Sequence, residues 1–124
     1  MTGYIVFAHG SSIESANDAV RAVAAEMARR GQLQHVVPAF LGGGEPDLNS
    51  AARQLAQRGV RRIVVIPYFL TLGLHLQRDL PMLIEQAAAA NSGIAFEATP
   101  PLDGHPAMVD ALLDRARAPV CSRG

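Results

Sequence analysis

Lysine and tryptophan are absent from this chain, cysteine occurs once, and neither sign of charge is in excess. Each absence narrows the field. The single thiol, Cys121, lies near the C-terminus, so neither a disulfide framework nor a thiolate metal cage is available. Eleven basic residues offset eleven acidic ones. The positive footprint that nucleic acid and anionic membrane surfaces require is missing, and we expect neither as a partner. No apolar run approaches the roughly 20 residues of a membrane span. The stretch Tyr4–Ala8 is too short for a secretory signal and has no basic flank, so the expected setting is cytoplasmic. Aromatic residues make up only 5%, which leaves the core to Val, Ile, Leu and abundant Ala. All eleven basic side chains are Arg. Biased codon usage would explain that, and so would planar, bidentate recognition of carboxylates; composition does not separate the two.

What is present suffices for one domain: 124 residues, 49% hydrophobic and 18% charged. Four apolar runs predict strands, at Gly3–Ala8, His35–Leu41, Arg62–Pro67 and Ile94–Ala98. The unbroken β-branched run Ile63–Ile66 is the mark of a strand buried on both faces. A helical pattern follows each run. Ala16, Val20, Val23, Ala24 and Met27 keep 3.6-residue spacing, with Gly31 as the expected stop. Leu48, Ala52, Leu55 and Ala56 predict a second helix, opened by Pro46 in its first turn and closed by Gly59. Leu80, Leu83, Ile84, Ala87 and Ala88 predict a third, whose start is set at an Asp79 N-cap because Pro81 suits only a first turn. Met108, Val109, Leu112 and Leu113, with Pro106 near the first turn, predict a fourth. The order βαβαβαβα implies an α/β fold, a single doubly wound four-stranded parallel sheet flanked by helices. The domain is expected over 1–117, with 118–124 as a frayed tail.

Ligands of open parallel sheets bind beyond the carboxyl ends of the strands. Four loops fall there, and they carry His9-Gly10-Ser11-Ser12, Gly42-Gly43-Gly44-Glu45-Pro46, the stretch from Tyr68 to His75, and Thr99 to Pro106 with His105. Three of the four histidines thus share one edge, and His35 starts a strand at the other. Neutral imidazole is the commonest side-chain ligand for Zn, Co, Ni and Fe. A pair of histidines with one carboxylate leaves coordination positions open for exchange. Glu45 is suited to be that carboxylate or a proton acceptor; an acidic residue favouring a helix N-terminus explains it equally well. The Gly42–Gly44 run lacks the spacing of a P-loop or dinucleotide fingerprint and equally suits a backbone that approaches a large flat ligand. Ser11 and Ser12 precede a helix and could simply cap it.

The segment Phe7-Ala8-His9-Gly10-Ser11-Ser12 resembles the opening strand and His-Gly-Ser loop of the class II tetrapyrrole chelatases of the CbiX/SirB type. Arg61 to Leu70, continuing through Gly73 and His75 to Asp79-Leu80-Pro81, is similar to that family's most distinctive stretch. Glu45-Pro46, Pro100-Pro101-Leu102 and His105-Pro106 complete the likeness, which covers roughly residues 3–117 with the motifs in order. The resemblance implies a flavodoxin-like chelatase half-domain that inserts a divalent metal into sirohydrochlorin, on the way to cobalamin or sirohaem. The metal is a substrate, cobalt as first choice with iron and nickel open, and no organic cofactor is needed. His9 and His75 take the positions of the family's metal-handling histidines, and Glu45 that of its acidic partner. Ser11, Gly43, Gly44 and Arg78 are candidate substrate contacts, Arg78 toward a carboxylate or else as a solvated helix-start residue. His105 is expected to serve a turn or packing role.

Two departures touch substrate positioning: Ser12 stands where a basic residue is usual, and Leu72-Gly73-Leu74 lacks a common second Gly. Short members of the family are expected to pair as homodimers, with the cleft between subunits. Two rival readings are a metal carrier with the same His pair and a phosphoryl-transfer enzyme with His9 as nucleophile. The second wants an Arg before the histidine, where this chain has Ala8.

Overall fold

A computed structural model describes residues 1–119, in which strands and helices alternate strictly. The elements are β1 (Thr2–Ala8), α1 (Glu14–Gly31), β2 (Val36–Phe40), α2 (Leu48–Gln57), β3 (Arg62–Pro67), α3 (Leu74–Ala90), β4 (Ala95–Ala98) and α4 (Pro106–Arg117). The sheet order is β2-β1-β3-β4 and every neighbouring pair is parallel. This is the doubly wound α/β arrangement expected from the alternation of patterns. The tail expected at 118–124 lies, from residue 120 onward, outside the described residues.

Alternation of side chains along the strands sorts the core into two faces. Ile5, Phe7, Val37, Ala39, Ile63 and Val65 point to one face and are buried there against Leu48, Ala51, Ala52 and Leu55 of α2 and Leu80 and Ala87 of α3. Val6, Ala8 and Phe40 point to the other, where α1 packs on β1 and β2 and buries Ala24. The fourth helix does not complete that second layer. No residue of α4 is buried, and Val109, Leu112 and Leu113 are 59%, 68% and 43% exposed.

Three element ends differ from the sequence-based expectation, each for a local reason. Helix α3 starts at Leu74 on a Gly73 N-cap, not at Asp79, and Pro81 lies inside it. An interior proline costs about 3 kcal/mol through its missing N–H and its clash with the preceding turn. Leu80, Leu83, Ile84 and Ala87 pack into or against the core and offset that cost, so the helix runs through the proline. Helix α2 starts after Pro46: its N-cap is Asp47, whose carboxylate accepts the Ser50 N–H at 2.8 Å. Helix α1 includes Gly31 and ends at Gln32, which itself takes the left-handed conformation (φ 53°).

The Asp47 cap has a pH signature. The Ser50 N–H, then the Ser50 side chain, hold the Asp47 carboxyl below its ordinary value. Its folded value is lower than its unfolded one, so its stabilisation is complete above about pH 4 and fades as pH falls through the lowered folded value. Asp47→Ala is expected to cost about 1 kcal/mol at neutral pH in urea denaturation. The gap from the parent should close in acid, and Asp47→Asn should keep most of the stability.

Candidate active site

In the order β2-β1-β3-β4 the chain leaves β1 toward one side of the sheet and returns for β3 on the other. The crevice at that reversal, beyond the carboxyl ends of the strands, is where doubly wound folds bind ligands. His9 follows β1 directly, and β3 leads through residues 68–73 to His75. Both histidines are exposed, and both line one cavity of about 200 Å³ with Phe69, Thr71 and Leu76. The His9 ring meets Phe69 edge-on, with centroids 5.9 Å apart, and Phe69 stands edge-on to buried Phe7 at 6.2 Å. Such aromatic contacts restrict a ring's orientation, so the core holds His9 through Phe69. His75 is the second residue of α3, carried by a helix where a loop position was expected.

The other two histidines stand apart. His105 is the N-cap of α4, its Nδ1 accepting the Ala107 N–H at 3.1 Å, with Pro106 as the first helical residue. His35 precedes β2 at the opposite end of the sheet, its Nε2 lying 3.1 Å from the Met1 sulfur.

Glu45 does not join the histidine pair. It lines a separate cavity of about 490 Å³ with Phe40, Gly42, Gly44, Asp47 and Ser50. Among the described residues no group of three His, Cys, Asp or Glu side chains is gathered as a metal cage. Two imidazoles on an open edge, with an exposed carboxylate one loop away, can hold an exchangeable ion and accept protons at a neighbouring point. They cannot sequester a metal as a closed cage does.

The loops that carry these residues are tied together backbone to backbone. The Leu41 N–H donates to Ala8 O and the Gly42 N–H to His9 O, at 2.9 and 3.1 Å, extending the β1–β2 ladder past its last residues. The Ser11 hydroxyl accepts the Ile13 N–H at 3.0 Å, while Ile13, not a serine, is the N-cap of α1. A Cβ on Gly43 would lie 2.9 Å from the Ser11 backbone, so this loop is glycine for closeness as well as for its positive φ of 71°. Arg78 is exposed on α3.

Two side chains at this edge were not singled out from the sequence. Asn17, 1% exposed, accepts the Ser11 N–H and donates to the carbonyls of Ser11 and Gly43. Arg21 lies over the Phe40 ring at 5.3 Å, pairs with Glu14 and Asp18, and donates to the Glu45 carbonyl at 3.1 Å. The carboxylates of Glu14 and then Asp18 raise the Arg21 pKa, and Arg21, then Asn17, lower that of Glu14. The one clue in the sequence is the cluster of polar residues Glu14, Ser15, Asn17 and Asp18 at the start of α1.

Comparisons with known proteins bear on the family and the fold. The CbiX family model matches residues 3–118. The chain is 33% identical over 113 residues to the chloroplastic sirohydrochlorin ferrochelatase of Arabidopsis thaliana, covering 91% of this chain but 50% of that protein. It is 30% identical to the sirohydrochlorin cobaltochelatase of Sulfolobus acidocaldarius, covering 100% of this chain and 97% of that one. The chain therefore spans about half the length of the first relative and nearly all of the second. A crystal structure of a CbiX protein from Marinobacter aquaeolei superposes with a TM-score of 0.84 at 26% identity, covering 94% of this chain and 95% of the other. With the family model matched over residues 3–118, and relatives and a solved structure that cover nearly the whole chain, the chain belongs to the CbiX/SirB family of short sirohydrochlorin chelatases.

Proposed function

We propose that this chain inserts a divalent metal ion, cobalt by preference, into sirohydrochlorin. The observation that carries the reading is the cavity shared by His9 and His75 at the sheet's switch point. The names of the relatives supply the substrate. Insertion exchanges two pyrrole protons for the ion while the ion sheds water. His9 and His75 hold the metal as neutral imidazoles and release it to the ring nitrogens. Glu45, in its own cavity, accepts pyrrole protons in place of serving as a third ligand. A flat macrocycle laid along this edge covers both cavities. Glycine backbone at Gly43 and Gly44 and the Ser11 turn allow its close approach, and Arg78 meets a peripheral carboxylate. Each copy contributes one chelatase-type α/β domain over 1–117, and the protein acts in the cytoplasm.

Cobalt is preferred because a relative matched along nearly its whole length is a cobaltochelatase. The test is purified protein with sirohydrochlorin and cobalt, iron or nickel in turn, followed by absorbance. Cobalt should react fastest. A faster reaction with iron would move the chain to the sirohaem branch, and no rate above that of metal alone would overturn the proposal.

A second copy completes the cleft in this reading. The support is α4, whose Val109, Leu112 and Leu113 are amphipathic in pattern yet exposed. A two-fold homodimer that buries α4 removes that surface from water. Leu112→Glu is expected to raise the dimer dissociation constant about tenfold or more in sedimentation experiments. An unchanged sedimentation profile would exclude α4 from the interface.

A further inference from the structure

Asn17 is the one buried polar side chain among the described residues, and neither the metal nor the proton step uses it. Its amide makes three hydrogen bonds to backbone. Oδ1 accepts the Ser11 N–H at 2.9 Å, and Nδ2 donates to Ser11 O at 2.8 Å and to Gly43 O at 3.1 Å. The first two close a paired ring on a residue six positions earlier, which a local turn at the start of α1 would explain. The third does not fit that explanation, because Gly43 is 26 residues away and belongs to the loop after β2. The fit around the amide is close: a Cβ on Gly44 would lie 2.9 Å from Nδ2 and 3.1 Å from the side-chain carbon of Asn17.

We infer that Asn17 is a positioning residue, whose buried amide clasps the His9 loop to the Gly42–Glu45 loop and so sets where Glu45 stands relative to the metal-holding histidine. The inference rests on the roles proposed above for His9 and Glu45. Only an amide of this length serves. Aspartate would bring a carboxylate against two carbonyl oxygens, leucine would leave three backbone groups unpaired, and glutamine would overreach. The His9–His75 pair does not depend on the clasp, since Phe69 and α3 hold it from the other side. Loss of the clasp should therefore act on the chemical step and not on metal capture.

The test compares the full chain with Asn17→Leu and Asn17→Asp by amide hydrogen exchange and by insertion kinetics with cobalt and sirohydrochlorin. Exchange should rise together in peptides covering 9–13 and 41–46. The kcat should fall about 10- to 100-fold, as a displaced catalytic group produces, while the KM for cobalt changes little. Should these variants fail to fold by circular dichroism, Asn17→Ser, which keeps a polar side chain too short to span Ser11 and Gly43 together, takes their place, and the same readouts decide. Unchanged exchange in the 41–46 loop would overturn the clasp. Raised exchange in both loops with an undiminished kcat would overturn its positioning role. A parent protein that folds but inserts no metal would instead overturn the proposed function, and exchange alone would then decide the clasp.

Discussion

Alanine at His9 or at His75 is expected to lower kcat/KM for metal insertion by about 10²–10⁴-fold, the range in which single catalytic groups act. The fold should be nearly untouched. Both side chains are exposed, and neither donates or accepts a side-chain hydrogen bond in the described structure. Exposed substitutions of that kind usually change stability by less than about 0.5 kcal/mol. Thermal denaturation should therefore superimpose on that of the parent while the rate collapses. The two changes should not add. A cavity shared by two imidazoles acts as a unit, and once one is gone the other contributes little, so the double variant should resemble either single. Loss of one histidine should also raise the KM for metal, which separates these variants from those at Asn17. Substitution of Phe69 belongs to a milder class, because it frees the His9 ring without removing it.

Gly10→Ala is expected to be the most damaging single substitution at the site for stability. A Cβ there would lie 1.6 Å from the Gly42 carbonyl oxygen and 2.8 Å from its carbon, and the residue's φ is +87°. Neither conflict can be relieved by turning a side chain, since the obstacle is backbone. That backbone is itself fixed, because the Gly42 N–H donates to His9 O. Only separation of the two loops makes room, and that breaks the ladder extension and the Asn17 bonds together. A loss of about 3–5 kcal/mol is expected, in the upper range for point substitutions. It would be read as a lowered midpoint in urea with an unchanged slope. Gly42→Ala is the control: a Cβ there meets nothing within 4 Å.

Much of this was legible in the sequence, and what was not has identifiable causes. The run Ile63–Ile66 could be little but a buried strand, and with β1 it put His9 and His75 at one edge of the sheet. The third helix was read too short because a proline rule, correct for an isolated helix, was outweighed by the burial of Leu80 and the inward stripe around it. Strand order in the sheet, not strand order in the chain, separates Glu45 from His75. Their loops follow β2 and β3, which flank β1, and two inter-strand steps are about 10 Å. Asn17 was hidden because its partners are backbone groups of loops, whose approach no side-chain pattern encodes. The apolar spacing of Met108, Val109, Leu112 and Leu113 was read correctly as a helix. Periodicity cannot say whether such a stripe packs within one chain or against another.

The most direct measurement is the initial rate of cobalt insertion into sirohydrochlorin by the parent and by the His9→Ala/His75→Ala double variant, at matched cobalt, with cobalt binding determined on the same samples. The expected result is turnover by the parent, and for the double variant both weakened binding and a rate no higher than that of cobalt and sirohydrochlorin alone. A double variant that inserts cobalt at the parent's rate would contradict the histidine mechanism. A parent that binds cobalt through these histidines yet turns over no sirohydrochlorin would make the chain a metal carrier.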